Sequence, residues 1–297
     1  MTDLHETDAI WGAMRAHQSP ETQDAAGFAR MLSACLDLGM TWIDHADIYD
    51  DGAVESLHGQ AAALLDTAQR QALRLITKCG VRFRSPGQAG VRLHHYRSDA
   101  AYIRQQAEAS LKRLGAERID LYLLHRPDYL MQAEETVRTL EALAAEGKIA
   151  AWGVSNFSAH QVDALAAVAG AAPAANQIEI SPLHTPALDD GTIDQARARG
   201  MAVLAWSPLG GSRLFDPQNA DEQRVHDTLI RLAGHYRTTD IGALALAWVR
   251  RTGAIPILGT GRIERLESQL AGLRAAADMD VQDWYEILEA ARGRRVP

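Results

Sequence analysis

Cysteine is scarce in this chain of 297 residues, which contains only two, Cys35 and Cys79. Their separation fits no CxxC pattern, so the sequence offers neither a disulfide framework nor a zinc site built from thiolates. Because free cysteine is among the residue types most often buried, we expect both thiols to lie in the core.

Positive charge and long apolar runs are also lacking. The chain has 30 Lys and Arg against 38 Asp and Glu, a formal net charge of −8, which gives nucleic acid or an anionic membrane little electrostatic reason to bind. The longest apolar stretch, residues 164–175, is broken by Gly170 and Pro173 and is too short to span a bilayer. The first residues show no apolar segment typical of a signal peptide. We therefore expect a cytoplasmic protein with neither nucleic acid nor a membrane as partner.

A regular alternation of strand-like and helix-like segments is what the sequence does contain. No GxGxxG follows the first apolar run, which weakens the prediction of a doubly wound dinucleotide-binding fold. The apolar runs are residues 10–14, 41–44, 75–78, 119–124, 149–154, 174–177, 201–206 and 254–258. Eight such runs separated by helical patterns favour an α/β fold, a (β/α)8 TIM barrel formed by residues 1–297 as a single domain. Residues 281–291 predict an extra C-terminal helix.

Two insertions, residues 80–97 and 209–220, follow predicted strands, so we expect them to form long loops over the C-terminal mouth of the barrel. The first contains His94 and His95. Adjacent histidines point apart and no carboxylate or cysteine partner is evident, so no metal site is expected. The candidate walls of a substrate pocket are Trp11, Met14, Ile48, Phe83, Tyr129 and Phe215.

Polar residues lie at or just after the C-terminal ends of three predicted strands. These residues are Asp44, Lys78 and His125, and Tyr49 follows shortly after Asp44. In a (β/α)8 barrel these ends meet at one mouth, where active sites lie. Reduction of a carbonyl by hydride requires a proton donor. Tyr49 suits this role if a nearby cation, Lys78, tunes its pKa toward neutrality. Asp44 would keep a buried Lys78 charged, and His125 would orient the carbonyl oxygen or join the proton path.

Each of these residues has an ordinary structural interpretation when taken alone. A strand-end aspartate is usually a cap, a single lysine is usually solvated, and a single histidine is often structural. Their joint occurrence at strand ends that share one mouth favours catalysis.

Asp44, Tyr49, Lys78 and His125 resemble, in order and context, the catalytic tetrad of the aldo-keto reductases. The segments 125–128 (HRPD), 153–157 (GVSNF) and 176–179 (NQIE) are similar to signatures of that family, and the resemblance covers nearly the whole chain. It implies NAD(P)H-dependent reduction of an aldehyde or ketone to an alcohol. The partner is then a small carbonyl compound, no metal takes part, and Tyr49 gives the proton.

The resemblance also implies where the cofactor binds. Ser155, Asn156 and Gln177 would hydrogen-bond the nicotinamide carboxamide, and Trp206 would stack on its ring. The loop that would cover the pyrophosphate consists of Ser207, Pro208, Leu209, Gly210 and Gly211. The residues that would hold the adenosine end are Gly259, Thr260, Gly261, Arg262, Arg265 and Gln269. Many relatives carry a lysine where Gly259 stands, so Arg262 must supply the charge for a 2′-phosphate. NADPH is the predicted cofactor, with NADH as the alternative.

Two other classes of protein stay open at this point. A cofactor-binding regulatory subunit could use the same barrel while turning over slowly. A metal-dependent barrel hydrolase or isomerase would need His, Asp and Glu ligands at the strand ends. The stretch before Ile10 is also shorter than the hairpin that commonly closes the barrel floor in the aldo-keto reductases. The substrate and the oligomeric state cannot be inferred from the sequence.

Overall fold

Eight parallel strands close into a barrel in this computed structural model, which describes residues 2–236 and 238–297. The described residues contain ten strands, eight in the barrel and two in a separate ribbon. They are β1 Ile10–Gly12, β2 Trp42–Asp44, β3 Arg74–Cys79, β4 Val81–Arg82, β5 His95–Tyr96, β6 Ile119–Leu124, β7 Ile149–Ser155, β8 Ala175–Glu179, β9 Ala202–Trp206 and β10 Ile255–Leu258. Their order around the barrel is β1-β10-β9-β8-β7-β6-β3-β2, and β4 pairs with β5 outside it. The predicted (β/α)8 barrel is thus confirmed.

Helices surround the barrel. They are α1 Thr2–Glu6, α2 Ala25–Asp37, α3 Ala53–Ala62, α4 Thr67–Ala72, α5 Ala100–Leu114, α6 Ala133–Ala145, α7 Ala159–Ala169, α8 Thr192–Ala198, α9 Ala220–Ala233, α10 Ile241–Arg251, α11 Ile263–Ala275 and α12 Val281–Arg292. Short 3-10 helices lie at Ala13–Gln18, Tyr49–Gly52, Pro186–Leu188, Gly210–Ser212 and Gly234–Tyr236. Within the described ranges, no helix is both long enough and apolar enough to cross a membrane.

Local signals set where these elements begin and end. The carboxylate of Asp99 accepts the N–H of Tyr102 at 3.0 Å and so begins α5, which ends where Gly115 takes a left-handed φ of +64°. The first strand is shorter than predicted, because residues 13 and 14 already belong to the 3-10 helix that follows it.

The barrel interior follows the two-residue period of its strands. Trp42, Ile76, Leu123 and Leu204 belong to one cluster of buried side chains inside the barrel. Residues an odd number of positions away along these strands, such as Cys79, Leu124 and Ala205, pack instead with the surrounding helices.

The barrel floor is closed by α1, a single short helix. Leu4 is fully buried and packs in the interior cluster with Ile10 and Trp42. At the other end of the chain, α12 confirms the predicted extra helix. Trp284 of α12 stacks on Trp248 of α10 with ring centroids 5.1 Å apart.

The first insertion folds back on itself at the barrel mouth. Val81 pairs with Tyr96 and Arg82 with His95 in an antiparallel ribbon, and the intervening loop hangs from it. The tip of this loop is anchored on Asp51, whose carboxylate accepts the Ser85 hydroxyl at 2.6 Å.

Candidate active site

The strand period explains why polar side chains meet at the mouth. Two residues beyond an interior apolar side chain, each strand presents its next inward position at the C-terminal end of the barrel. The pairs of interior and mouth residues are Trp42 and Asp44, Ile76 and Lys78, Leu123 and His125, Ala175 and Gln177, and Leu204 and Trp206.

Lys78 is the centre of the resulting cluster. Its side chain is fully buried, and its ammonium donates to Asp44 Oδ2 at 2.8 Å, to His45 O at 2.6 Å and to the Tyr49 hydroxyl at 3.1 Å. An ammonium has three N–H donors, so every one of them has an acceptor. Gln177 Nε2 donates to the other carboxylate oxygen of Asp44 at 2.8 Å.

Lys78 is held in its charged form by these contacts. Burial by itself lowers the pKa of Lys78, but the charge of Asp44, the phenol of Tyr49 and their hydrogen bonds outweigh it, so the pKa is raised above its ordinary value. A permanent cation therefore lies beside the Tyr49 hydroxyl at neutral pH.

Lys78 lowers the pKa of Tyr49, as expected, but the net shift is upward. Burial raises the pKa of Tyr49 above its ordinary value. Lys78 offsets this only in part, through its charge and hydrogen bond, and Asp44 adds to the rise. Desolvation of the phenolate outweighs one nearby cation that already serves a carboxylate. Tyr49 therefore keeps its proton at neutral pH, as a proton donor must.

His125 lies beside Tyr49. The two rings are nearly perpendicular, with centroids 6.3 Å apart, and the histidine is 8% exposed. Burial and the charges of Lys78 and Arg126 hold the pKa of His125 well below its ordinary value, so the ring is neutral. Its buried Nδ1 has no hydrogen-bond partner within the described residues.

The residues predicted to bind a carboxamide form a connected set. Ser155 Oγ donates to Gln177 O at 2.9 Å, Asn156 Nδ2 donates to Ser155 Oγ at 2.7 Å, and Trp206 Nε1 donates to Asn156 Oδ1 at 3.0 Å. The amide nitrogen of Gln177 is bonded to Asp44, so its amide oxygen is the group left for a ligand. Gln177 therefore has a contact that was not predicted, because it also orients Asp44.

The next part of the predicted cofactor site follows β9. Trp206 is half-buried, with the guanidinium of Arg126 5.8 Å from its ring centre. Ser207 has a left-handed φ of +49°, and its carbonyl accepts the N–H of Gly210 at 2.8 Å. Pro208 is buried, Leu209 is half-buried, and Gly211 is exposed with open space around its Cα. The loop is therefore a tight turn with a free, glycine-bearing surface.

The predicted adenosine site lies at the start of α11. Gly259 and Arg265 are exposed, Thr260 and Gly261 are half-buried, and Gln269 is buried one turn further along. A hydrogen bond joins this loop to β1, because Trp11 Nε1 donates to Thr260 O at 2.8 Å. Arg262 is not free, because its Nε lies 3.6 Å from Glu21 Oε1.

Five of the six candidate wall residues reach the surface. Trp11 is the exception, because it is fully buried on the outer face of β1 with its ring 5.1 Å from Phe28, so it cannot line a pocket. The other five, all partly or largely exposed, are Met14, Ile48, Phe83, Tyr129 and Phe215. In the part of the chain that the structure describes, no group of three or more His, Cys, Asp or Glu is placed to hold a metal ion.

Polar residues next to the cluster were missed in the sequence. His45 contributes its carbonyl to Lys78, and Asp47 is buried with one carboxylate oxygen unpartnered among the described residues. Burial and the nearby Glu55 raise the pKa of Asp47 to about 8. The signal was present: three polar residues, Asp44, His45 and Asp47, lie within four consecutive positions at the end of a buried strand.

The chain is similar in sequence and in fold to known oxidoreductases. A family model described as "Aldo/keto reductase family" matches residues 9–289. The chain is 35% identical over 292 residues to a 6-dehydroglucose reductase of Agrobacterium fabrum, covering 97% of this chain and 95% of that protein. It is 34% identical over 297 residues to "Uncharacterized oxidoreductase YcsN" of Bacillus subtilis, covering 99% and 97% of the two chains. The crystal structure of a glycerol dehydrogenase from Gluconobacter oxydans matches with a TM-score of 0.81 and 24% identity, covering 98% and 94%, which is a likeness of fold.

Proposed function

This chain belongs to the aldo/keto reductase family of oxidoreductases, and on that premise we propose that it reduces an aldehyde or ketone to an alcohol with Tyr49 as the general acid. The observation that carries the proposal is the contact of one buried ammonium, Lys78 Nζ, with both Asp44 and the Tyr49 hydroxyl. That contact puts a protonated phenol and a fixed positive charge at the barrel mouth.

The proposed catalytic roles of these residues are as follows. Tyr49 donates its proton to the carbonyl oxygen, and Lys78 stabilises the phenolate that forms. Asp44, held by Gln177, keeps Lys78 charged and in place. Neutral His125 would donate a hydrogen bond to the carbonyl oxygen from Nε2, because its buried Nδ1 has no acceptor.

A nicotinamide dinucleotide fits the remaining residues. When bound, it supplies the hydride that reaches the carbonyl carbon. Hydroxyl and amide groups at Ser155, Asn156 and Gln177 have the donors and acceptors that a carboxamide requires, and the half-buried Trp206 offers a ring face. The open surface at Gly211 leaves room for phosphate groups next to backbone amides.

The choice of dinucleotide depends on charge near α11. Thr260, Arg262 and Arg265 favour a 2′-phosphate and hence NADPH. The ion pair of Arg262 with Glu21 opposes it, which leaves NADH as a strong competitor. We further propose that residues 1–297 act as one catalytic domain in the cytoplasm.

The test is a screen for NADPH or NADH oxidation over aldehydes, ketones, sugars and quinones. We expect oxidation that depends on at least one carbonyl compound and is insensitive to a metal chelator. Binding of dinucleotide without turnover on any substrate would favour the regulatory-subunit alternative. Turnover that is lost with a chelator and restored by a metal ion would favour the metal-dependent class.

A further inference from the structure

Glu21 lies against the start of α11, where we propose the adenosine end of the cofactor. Its Oε2 accepts the backbone N–H of Ile263 at 3.3 Å, and its Oε1 lies 3.6 Å from Arg262 Nε. Arg262 precedes the helix, and its own side chain caps none of the helix N–H groups. One carboxylate of the chain therefore contacts both the positive end of the helix and the arginine expected to bind phosphate.

A closely packed turn keeps Glu21 in this position. Thr22 is fully buried, and its backbone N–H donates to Ser19 O at 3.0 Å. Ser19 Oγ in turn donates to Gly261 O at 3.1 Å. A Cβ on Gly27 would lie 2.2 Å from Glu21 O, and one on Gly261 would lie 2.4 Å from Ser19 Cβ, so both contacts require glycine. The turn and the loop before α11 thus form one packed unit.

A carboxylate at this place distinguishes the two dinucleotides by charge. A ribose 2′-hydroxyl can donate a hydrogen bond to it, whereas a 2′-phosphate carries close to two negative charges and is repelled. Gly259 contributes no cation, and Arg262 is already engaged. Arg265 has no ion-pair partner among residues 2–236 and 238–297, so of the two arginines named for a 2′-phosphate it is the unpaired one.

We propose that Glu21 is a specificity-determining residue that disfavours the 2′-phosphate, so that the chain binds NADH at least as tightly as NADPH. The proposal rests on the proposed function, because it assumes that the adenosine end of a dinucleotide binds at the predicted residues, which are Gly259, Thr260, Gly261, Arg262, Arg265 and Gln269. It reverses the preference predicted from those residues alone. The side chains of Glu21 and Arg262 are 41% and 59% exposed, so solvent screens the repulsion and the effect is several-fold.

The experiment is isothermal titration calorimetry of the full chain with NAD⁺ and with NADP⁺, which reports binding without turnover. The parent should bind NAD⁺ at least as tightly as NADP⁺. In Glu21→Gln an amide oxygen still accepts the Ile263 N–H, and NADP⁺ should bind about three- to tenfold more tightly while NAD⁺ changes less than about twofold. This gain should shrink as salt is raised to about 0.5 M, because the charges are exposed.

Glu264→Gln is the matched control. Glu264 lies in the first turn of the same helix, is exposed, and makes no hydrogen bond or ion pair within the described residues. A parent that binds NADP⁺ more tightly than NAD⁺ would overturn the proposal, as would a Glu21→Gln variant whose NADP⁺ affinity matches that of Glu264→Gln. If neither dinucleotide binds to the parent, the proposed function itself fails.

Discussion

One atom, the ammonium nitrogen of Lys78, holds three groups of the candidate site together. This ammonium is shared by a carboxylate, a backbone carbonyl and a phenol, and the Lys78 side chain is fully buried. The sequence predicted the partners Asp44 and Tyr49 because strand ends converge in a barrel. It could not predict the direction of the Tyr49 pKa or the bond from Gln177 to Asp44, since both depend on burial and on side-chain orientation.

Lys78→Met should remove the charge and keep much of the side-chain length. We expect kcat/KM near neutral pH to fall by about 10²-fold or more, because the phenolate left after proton transfer loses its counter-charge. The measurement is a pH–rate profile beside that of Lys148→Met, which removes a lysine whose ion pairs with Glu108 and Glu146 lie at the surface. A Lys78→Met profile with the height and shape of the parent's would rule out the Lys78–Tyr49 pair.

Asp47 should make stability depend on pH in an unusual direction. Its pKa is about 8 in the folded chain, because burial and Glu55 outweigh Arg113, Arg82 and Lys78, against about 3.9 for an unfolded aspartate. Between these values the folded state binds a proton that the unfolded state lacks, so this carboxyl lowers stability as pH rises from about 4 to about 8. Asp47→Asn should therefore be more stable than the parent at pH about 9 and close to it at pH about 5, and about three pH units at about 1.4 kcal/mol each make the difference roughly 4 kcal/mol.

Urea unfolding across this pH range measures the effect. Asp278→Asn is the control, because Asp278 is exposed and makes no hydrogen bond among the described residues. If Asp47→Asn and Asp278→Asn both follow the parent's pH dependence, Asp47 is ionised in the folded chain and the raised pKa is wrong.

At the scale of elements, the strands were easier to predict than the helices. Buried strands are short apolar runs, and the eight predicted runs correspond to the eight barrel strands. Helix α10 is hard to predict because nine of its eleven residues are buried, so no polar face marks its period. Helix α3 is hard to predict because its buried face includes Glu55 and His58, and the Glu55 carboxylate is buried among its partners Thr77, Ser110 and Arg113. Such pairings depend on contacts between distant segments.

The tip of the loop that follows Phe83 is anchored on the side chain of Asp51. Asp51 accepts the Ser85 hydroxyl at 2.6 Å and the Gly87 N–H at 3.1 Å. Asp51→Ala should free the loop, so trypsin should cut more rapidly after Arg84, and KM for the carbonyl substrate should rise more than kcat falls.

Asp50→Ala is a closely matched control for this change. Asp50 and Asp51 both have left-handed φ angles, of +49° and +50°, so alanine costs similar strain at either position. The Asp50 side chain makes no hydrogen bond within the described residues. Equal trypsin sensitivity of the two variants would show that strain, and not the anchor, sets the order of the loop.

At the scale of the whole molecule, the barrel is closed at its floor by very little chain. The side chain of Leu4 packs in the interior with Ile10 and Trp42, and the stretch before Ile10 is shorter than the hairpin common in the family, as the sequence indicated. Leu4→Ala should lower the free energy of unfolding by about 2–5 kcal/mol, the range for a buried leucine. Leu64→Ala, at a side chain that is 61% exposed, should change it by less than about 0.5 kcal/mol. Urea unfolding of both variants checks this, and equal stabilities would mean that α1 does not close the barrel.

The most direct test of the central claim is Tyr49→Phe, which deletes one oxygen and the contact with Lys78. With the best carbonyl substrate of the screen, kcat should fall by about 10²-fold or more, while the dissociation constant of the dinucleotide changes less than about twofold. Tyr285→Phe, at a side chain of α12 that is 47% exposed, should match the parent in both. A Tyr49→Phe variant that keeps kcat within about threefold of the parent would contradict the assignment of Tyr49 as the proton donor.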